Sequence, residues 1–293
     1  MPTPDDEQLR RREELENRVG SSSAPFSFGP FQDLLVHVEA HAVQTFAEIE
    51  YQFVAAMSEF DHRLAAGDLT SGQNQNKGLF FNELIARLVE RCAGLGVAQR
   101  GKRPGVLLPT VDVDLCYPAD PRTRPAIIAE VKMAGTPKHP RSPQAGVMGR
   151  PASADVDKRI REIALNVIDL KLADVQGGTT SIGDITSWIQ ETRPRFFALF
   201  GLRVIDDNDL RKVLARFQYL ANSYANGVGL ALYKPVDPST PEGRVTYAPV
   251  VPPGGMSIDD TVKRICRLVK AAADQPPNPI PPHKVIPESE TSN

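Results

Sequence analysis

Apolar side chains recur every three or four positions in two stretches of the first third of the chain. The first, 31–64, includes Leu34, Val38 and Phe53, and the second, 77–92, is spaced in the same way. This period is typical of amphipathic helices that bury one face, so we expect a helix in each range.

The period changes from helical to alternating after these helices. Val111, Val113 and Leu115 alternate with polar or small residues, which predicts a half-buried strand over 111–116. The segment 126–132, which opens with the apolar run 126–129, predicts the next strand. Because a short turn joins the two strands, we expect them to form an antiparallel hairpin.

The rest of the chain mixes both periods. A segment rich in Pro, Gly and basic residues, 135–154, is expected to be a long loop. Further helices are predicted at 155–175, 182–192, 210–224 and 258–273, and further strands at 196–204, 228–233 and 245–250. This order predicts an α/β fold (α+β mixed), with a central mixed sheet flanked by helices.

Three regions are expected along the chain. Residues 1–76 form an N-terminal helical extension, made of a charged helix, a Ser/Pro linker and the first amphipathic helix. Residues 77–275 form the main domain. The tail, 276–293, is rich in Pro and is expected to be disordered.

Composition restricts the possible partners of this chain. Its 293 residues carry a net charge of −2, so any nucleic-acid binding must come from local positive charge. Its three cysteines are widely spaced, which argues against a disulfide framework and a zinc site. No apolar run approaches the roughly 20 residues of a membrane span, and the N-terminus is charged. We therefore expect a cytoplasmic protein with no membrane partner.

Charged residues on the predicted hairpin suggest chemistry. Alternation places Glu130 and Lys132 on one face of their strand, and Asp112 and Asp114 on one face of the neighbouring strand. A hairpin can bring the two sets together. Converging carboxylates provide the oxygen ligands that Mg²⁺ prefers, and a nearby lysine can orient water and stabilise charge on a phosphate.

The Glu130-Val131-Lys132 triplet, a carboxylate-x-Lys pattern, also has an interpretation without chemistry. An exposed Glu/Lys pair on an edge strand is also a common solubility device. The chain has a second triplet, Asp169-Leu170-Lys171, but it lies in a predicted helix, where the two charged side chains do not share a face. We give this second triplet no catalytic role.

The order of these residues resembles the PD-(D/E)xK nuclease superfamily, which has the restriction-endonuclease-like αβββαβ core. Asp114 followed by an apolar strand resembles the aspartate of the motif, and Glu130-Val131-Lys132 resembles its acid-x-Lys part. Glu83 resembles the acid that many members carry on the preceding helix. The resemblance covers roughly 77–205, with Val113 standing where the motif has proline.

This resemblance implies a metal-dependent mechanism. Asp114 and Glu130 would bind Mg²⁺, for which Mn²⁺ would substitute, and the Val131 carbonyl would be a further ligand. Lys132 would position the attacking water, and Glu83 would complete the metal shell or a second site. Asp112 remains an alternative to Asp114, because we expect both on the same face.

The implied function is cleavage of double-stranded DNA by a type II restriction endonuclease. Such an enzyme would act as a homodimer and would have a cognate DNA methyltransferase as a genetic partner. The alternatives are a structure-specific repair nuclease and a DNA-binding or interaction protein that keeps the fold without cleavage. The residues predicted to contact DNA are Lys138, Arg141, Arg150, Lys158 and Arg159.

Overall fold

The computed structural model describes residues 28–69, 76–135, 150–174, 185–236 and 246–280. Its helices are α1 (Gly29–Ala40), α2 (Glu50–Ala66), α3 (Asn76–Ala93), α4 (Ala152–Asp174), α5 (Ile185–Glu191), α6 (Asp207–Ser223) and α7 (Ile258–Ala273). Its strands are β1 (Ala98–Arg103), β2 (Val111–Tyr117), β3 (Ile127–Ala134), β4 (Arg195–Arg203), β5 (Gly227–Val236) and β6 (Thr246–Val250).

The strands form one mixed sheet in the order β1-β2-β3-β4-β5-β6. Strands β3, β4 and β5 run parallel, and the other neighbouring pairs are antiparallel. The predicted α/β sheet flanked by helices and the antiparallel pairing of β2 with β3 are therefore confirmed. Within the described ranges, no helix is both long enough and apolar enough to cross a bilayer.

Each face of the sheet packs against its own set of helices. The core that we call the α3-side core contains buried residues of α1, α2, α3 and α7, and the α4-side core contains those of α4, α5 and α6. Strand β4 supplies both, because Phe197 and Leu199 face the first core while Phe196, Ala198 and Phe200 face the second. A parallel strand covered on both faces is expected to be apolar throughout.

The first predicted helix, 31–64, is two helices in the structure. The chain between α1 and α2 is held by α7, where the Asp259 carboxylate accepts hydrogen bonds from the N–H groups of Phe46 at 2.6 Å and Ala47 at 3.1 Å. Apolar residues of this connection, including Phe46, are still buried in the α3-side core. Apolar residues keep a similar spacing across the break because the connection is buried as well. The spacing therefore did not reveal where α1 ends.

Strand β1 was not predicted. Its sequence, Ala-Gln-Arg-Gly-Lys-Arg, has no apolar alternation, because it lies at the edge of the sheet and most of its residues are partly exposed. An edge strand of this kind is held by pairing with its neighbour rather than by burial, so it leaves no hydrophobic signal.

The predicted tail begins at 276, and the structure describes it as far as Ile280. The Ile280 N–H donates to the Arg122 carbonyl at 2.7 Å, and the Arg124 N–H donates to the Asn278 carbonyl at 2.8 Å. Ile280 is buried by this contact. The rest of the tail, 281–293, and the predicted charged helix and linker within 1–27 lie outside the described residues.

A buried ion pair joins the N-terminal helices to the sheet. Arg203, at the end of β4, contacts both oxygens of Asp61 on α2, at 2.5 and 2.6 Å, and both side chains are almost fully buried. The Tyr247 hydroxyl of β6 donates to the same carboxylate at 2.5 Å. Arg203 also donates to the Gly135 carbonyl, just after β3. The extension predicted for 1–76 therefore shares its core and a charged contact with the main domain.

Replacement of Gly135 by alanine is expected to destabilise the fold strongly. Gly135 has a φ of +82°, and a Cβ there would collide with the Arg203 carbonyl oxygen. Left-handed strain and a clash with backbone together should lower the free energy of unfolding by about 3 kcal/mol or more. Urea denaturation measures this loss.

Gly67 provides the matched control for this prediction. Its φ is +84°, but a Cβ there would meet no atom of the described ranges within 4 Å. Gly67→Ala should therefore cost only the backbone strain, about 1–2 kcal/mol. Equal losses for the two variants would contradict the close approach of Gly135 to Arg203.

Candidate active site

The β1–β2 hairpin bends away from β3 at Asp114. Strand β2 pairs with β1 along its length, but it pairs with β3 only over Leu115–Tyr117. Val113 packs in the α4-side core whereas Leu115 packs in the α3-side core, so the alternation of faces is interrupted between them. The ladder with β1 skips Asp114 and Arg100, which has a φ of +49°. The hairpin therefore bends at this position, and none of the described strands pairs with the β2-side edge of β3 beyond Ala129.

Contacts with α4 show the direction of this bend. The Asp169 carboxylate of α4 accepts hydrogen bonds from three successive N–H groups of the β1–β2 connection, those of Val106, Leu107 and Leu108, at 2.5, 2.7 and 3.0 Å. Lys171 of the same helix donates to the carbonyls of Thr192 and Pro194 at 2.6 and 2.5 Å. The second carboxylate-x-Lys triplet thus makes structural contacts, and Asp169 holds the bent hairpin over α4.

Asp114, Glu130 and Lys132 come together at the unpaired edge of β3. Asp114 Oδ2 accepts hydrogen bonds from the Val131 N–H at 2.8 Å and from Lys132 Nζ at 2.6 Å. Lys132 Nζ also lies 3.0 Å from Glu130 Oε1. The Asp114 side chain thus occupies the place that a neighbouring strand would take, and one ammonium group joins both carboxylates.

The main chain of β3 contributes to the same edge. In a β-strand, the N–H and C=O groups of one residue point to the same side of the strand. Because the Val131 N–H meets the Asp114 carboxylate, the Val131 carbonyl also points to the edge that β2 has left. The structure therefore places this predicted ligand on the same side of β3 as the Asp114 carboxylate.

Burial sets the electrostatics of this cluster. Burial and the nearby Asp114 carboxylate raise the pKa of Glu130 from 4.5 to about 7, although Lys132 and Arg159 act to lower it. Burial lowers the pKa of Lys132, but Asp114 and Glu130 outweigh this effect and hold the pKa above its usual value. Lys132 is therefore charged at neutral pH, and Glu130 exchanges its proton near neutrality. Shifts of this kind are frequent at catalytic sites.

Asp112, the alternative metal ligand, has different surroundings from Asp114. It pairs with Lys102 in the β1–β2 ladder and is exposed, while its neighbours Val111 and Val113 pack in the α4-side core. Glu130 lies between Ala129 and Val131, which face the α3-side core, so Glu130 points towards α4. The contacts therefore favour Asp114, and the two aspartates do not share one environment as expected.

Glu83 is buried on α3 and makes its hydrogen bond away from the cluster. Its Oε1 accepts from Arg87 Nε at 2.8 Å, and Arg87 also pairs with Glu39 of α1. Its Oε2 is buried, and no group in the described part of the chain forms a hydrogen bond with it. Among the described residues, no three His, Cys, Asp or Glu side chains are grouped to hold a metal ion. The predicted role of Glu83 is therefore not supported by a contact with the other carboxylates.

Acidic partners neutralise part of the predicted DNA-binding surface. Arg150 pairs with Asp155 at 2.6 Å, and both Lys158 and Arg159 pair with Glu162, at 3.7 and 2.6 Å. Arg159 is also close enough to Glu130 to affect its pKa. The other two predicted DNA contacts, Lys138 and Arg141, lie outside the described residues.

Asn82 is a site residue that sequence reasoning missed. Its Nδ2 donates to the main-chain carbonyl of Asp114 at 3.2 Å, and the side chain is buried. The signal available in the sequence was one neutral amide among the apolar residues of Leu79–Val89. Asn82 was missed because only charged side chains were considered as candidates on this helix.

Comparisons with known proteins do not assign this chain to a family. No family model, curated protein or solved structure matches it. The functional conclusion therefore depends on the geometry of the site and on the order of the elements that carry it.

Replacement of Glu130 by glutamine should change how stability depends on pH in the metal-free protein. The folded state keeps a proton on Glu130 up to a pKa of about 7, whereas the unfolded chain releases it near 4.5. The wild-type free energy of unfolding should therefore fall as pH rises between these values, by on the order of 3 kcal/mol. Glu130→Gln should remove this fall, which denaturation at several pH values measures.

Asp112→Asn is the control for the pH experiment, because Asp112 is an exposed acid on the neighbouring strand. This variant should keep the wild-type pH dependence. A Glu130→Gln profile that follows the wild type between pH 4.5 and 7 would show that burial does not raise the Glu130 pKa.

Proposed function

We propose that this chain is a Mg²⁺-dependent endonuclease of the PD-(D/E)xK type that hydrolyses double-stranded DNA, most simply as a type II restriction endonuclease. One observation carries the proposal. Asp114 and Glu130 converge on Lys132 Nζ, at 2.6 and 3.0 Å. They do so at the edge of β3 that pairs with no other described strand, so main-chain groups of β3 face the same space. Two carboxylates beside one lysine are the groups that metal-assisted phosphodiester hydrolysis requires.

The order of elements around this cluster supports the proposal. From α3 to β4 the chain runs through a helix, three strands, a long helix, the short helix α5 and a strand. Apart from α5, this is the αβββαβ order of the restriction-endonuclease-like core. The aspartate lies on the second strand and the acid-x-Lys on the third.

The donor set fits a small hard cation. Mg²⁺ commonly binds one or two carboxylates and keeps several of its waters, so a third protein carboxylate is not required. Asp114, Glu130 and the Val131 carbonyl would hold it. When bound, Mg²⁺ would supply positive charge next to the phosphate and lower the pKa of a water molecule.

Lys132 has two tasks in this scheme. In the metal-free protein its ammonium compensates the two carboxylates, which would otherwise repel each other at close range. When the carboxylates hold a cation instead, the ammonium can donate to the attacking water and to a phosphate oxygen. Its high pKa keeps it positively charged for that role.

The second candidate function is DNA binding or another interaction without cleavage. The ion pairs of Arg150, Lys158 and Arg159 with acidic neighbours favour it, because they reduce the charge available to the DNA backbone. A structure-specific repair nuclease would use the same site. In the restriction proposal, two copies would each cut one strand, and a cognate methyltransferase would protect the host DNA.

A cleavage assay separates these functions. Supercoiled plasmid, linear duplex, nicked duplex, branched duplex and single-stranded DNA are incubated with the protein in Mg²⁺, in Mn²⁺ and in EDTA. We expect discrete duplex fragments with either metal and no cleavage in EDTA. Cleavage only at branched or nicked substrates would indicate repair, and binding without cleavage in both metals would refute the nuclease proposal.

A further inference from the structure

The main chain of Asp114 lies at a gap in the sheet. The β1–β2 ladder pairs Gln99 with Leu115 and Gly101 with Val113, and it skips Asp114. On the other side, pairing with β3 extends only to Leu115. Among the described residues, Asp114 is therefore missing from the register of both ladders. At such a break, the main chain is held better when a group outside the sheet supplies a hydrogen-bond donor.

Asn82 of α3 is that donor. Its Nδ2 lies 3.2 Å from the Asp114 carbonyl oxygen. Because a carbonyl can only accept a hydrogen bond, this contact requires the NH₂ group of Asn82 to face Asp114 and its Oδ1 to face elsewhere. Asn82 Oδ1 is buried and has no hydrogen-bond partner among the described residues.

Stability alone does not account for this asparagine. Its neighbours on α3, Phe80, Phe81 and Leu84, are fully buried in the α3-side core, which is made of apolar side chains. Asn82 instead brings an acceptor into the core and leaves it unsatisfied, which is unfavourable. A buried polar group retained against this cost is expected where it serves a site.

We infer that Asn82 is a positioning residue for the proposed active site, because it fixes the Asp114 main chain so that the Asp114 carboxylate meets β3. Asp114 is then held at two points, at its carbonyl by Asn82 and at its carboxylate by the Val131 N–H and Lys132. Without Asn82, the main chain of Asp114 would lose one of these two points of attachment. The consequence for cleavage rests on the proposed function, whereas the effect on Asp114 does not.

Hydrogen exchange of the Val131 amide tests the positioning directly, whatever the protein catalyses. In the wild type this N–H is protected by the Asp114 carboxylate. In Asn82→Leu, which keeps the size but removes the donor, we expect Val131 to exchange at least tenfold faster relative to Ala198 of β4. Exchange of Val131 at the wild-type relative rate would overturn the inference.

Asn226→Leu is the matched control. The Asn226 side chain also bonds backbone groups, accepting from the Phe196 N–H at 2.7 Å and donating to the Gln190 carbonyl at 2.7 Å. Its loss should weaken the fold without accelerating Val131 selectively. Selective acceleration in this control as well would overturn the inference. If Asn82→Leu does not fold, Asn82→Ala, which adds no bulk, should show the same effect on Val131.

Cleavage kinetics give the second readout. If the wild type cleaves DNA, Asn82→Leu should lower kcat by roughly 100-fold, because a small misplacement of a catalytic group has effects of that size. KM should change by less than about threefold, because Asn82 does not face the substrate. Wild-type kcat in Asn82→Leu would refute the catalytic consequence. A wild type that cuts no DNA would refute the proposed function, and Val131 exchange would still decide the role of Asn82.

Discussion

Lys132→Ala is expected to abolish DNA cleavage, with a fall in rate of about 1,000-fold or more. The variant removes the only side chain that contacts both Asp114 and Glu130 among the described residues. It also removes the charge that we assign to the attacking water and the phosphate. DNA binding should be retained, because one ammonium that is already paired with two carboxylates contributes little to a surface that binds the DNA backbone. Cleavage rates in Mg²⁺ and gel shifts in Ca²⁺ measure the two properties separately.

Lys234→Ala is the control for Lys132. Lys234 is also paired with an aspartate, Asp207, at 2.7 Å, but it lies on β5 and is more exposed. Its loss should leave the cleavage rate within about twofold of the wild type, since surface ion pairs contribute little. A Lys132→Ala protein that cleaves near the wild-type rate would refute the assignment of the site. Equal loss of DNA binding and of cleavage in Lys132→Ala would contradict the role of Lys132 in the chemical step.

Asp61→Ala is expected to produce the largest loss of stability. It leaves the Arg203 guanidinium without its carboxylate in a position where Arg203 is only 1% exposed, and it removes the acceptor of the Tyr247 hydroxyl. Breaking a buried ion pair in this way typically costs about 3–5 kcal/mol. Domains are stabilised by only about 5–15 kcal/mol, so the variant should unfold at a much lower urea concentration.

Two variants show whether this loss comes from the buried charge. Asp207→Ala removes the carboxylate of an exposed pair, and its urea midpoint should stay close to the wild type. The double variant Asp61→Leu with Arg203→Met removes both charges and should recover part of the stability lost in Asp61→Ala. Equal urea midpoints for Asp61→Ala and Asp207→Ala would contradict the account of this ion pair.

The sequence revealed the parts of the site that depend on local periodicity. Glu130 and Lys132 are two positions apart on a strand, so they share a face whatever surrounds them. The turn between β2 and β3 was short enough to predict their antiparallel pairing. Helices with one buried face, such as α6, were predicted for the same reason, because burial repeats with the helical period.

The bend at Asp114 could not be predicted, because it arises from contacts between distant residues. Asp169, more than fifty positions away, holds the hairpin, and Asn82 holds Asp114 from a different helix. Strict alternation along β2 therefore placed Asp112 and Asp114 on the same face, whereas the structure gives them different surroundings. Glu83 shows the same limit, because its carboxylate accepts a hydrogen bond from Arg87, one turn further along α3, and the sequence pattern did not reveal this pairing.

The most direct test of the central claim compares two aspartates that are two positions apart on one strand. Asp114→Asn keeps an oxygen for the Val131 N–H but removes the negative charge next to Lys132, whereas Asp112→Asn changes an exposed neighbour. With duplex DNA and Mg²⁺, the wild type and Asp112→Asn should produce the same metal-dependent fragments, and Asp114→Asn should produce none. Fragments from Asp114→Asn at the wild-type rate, or none from the wild type in Mg²⁺ or Mn²⁺, would contradict the claim.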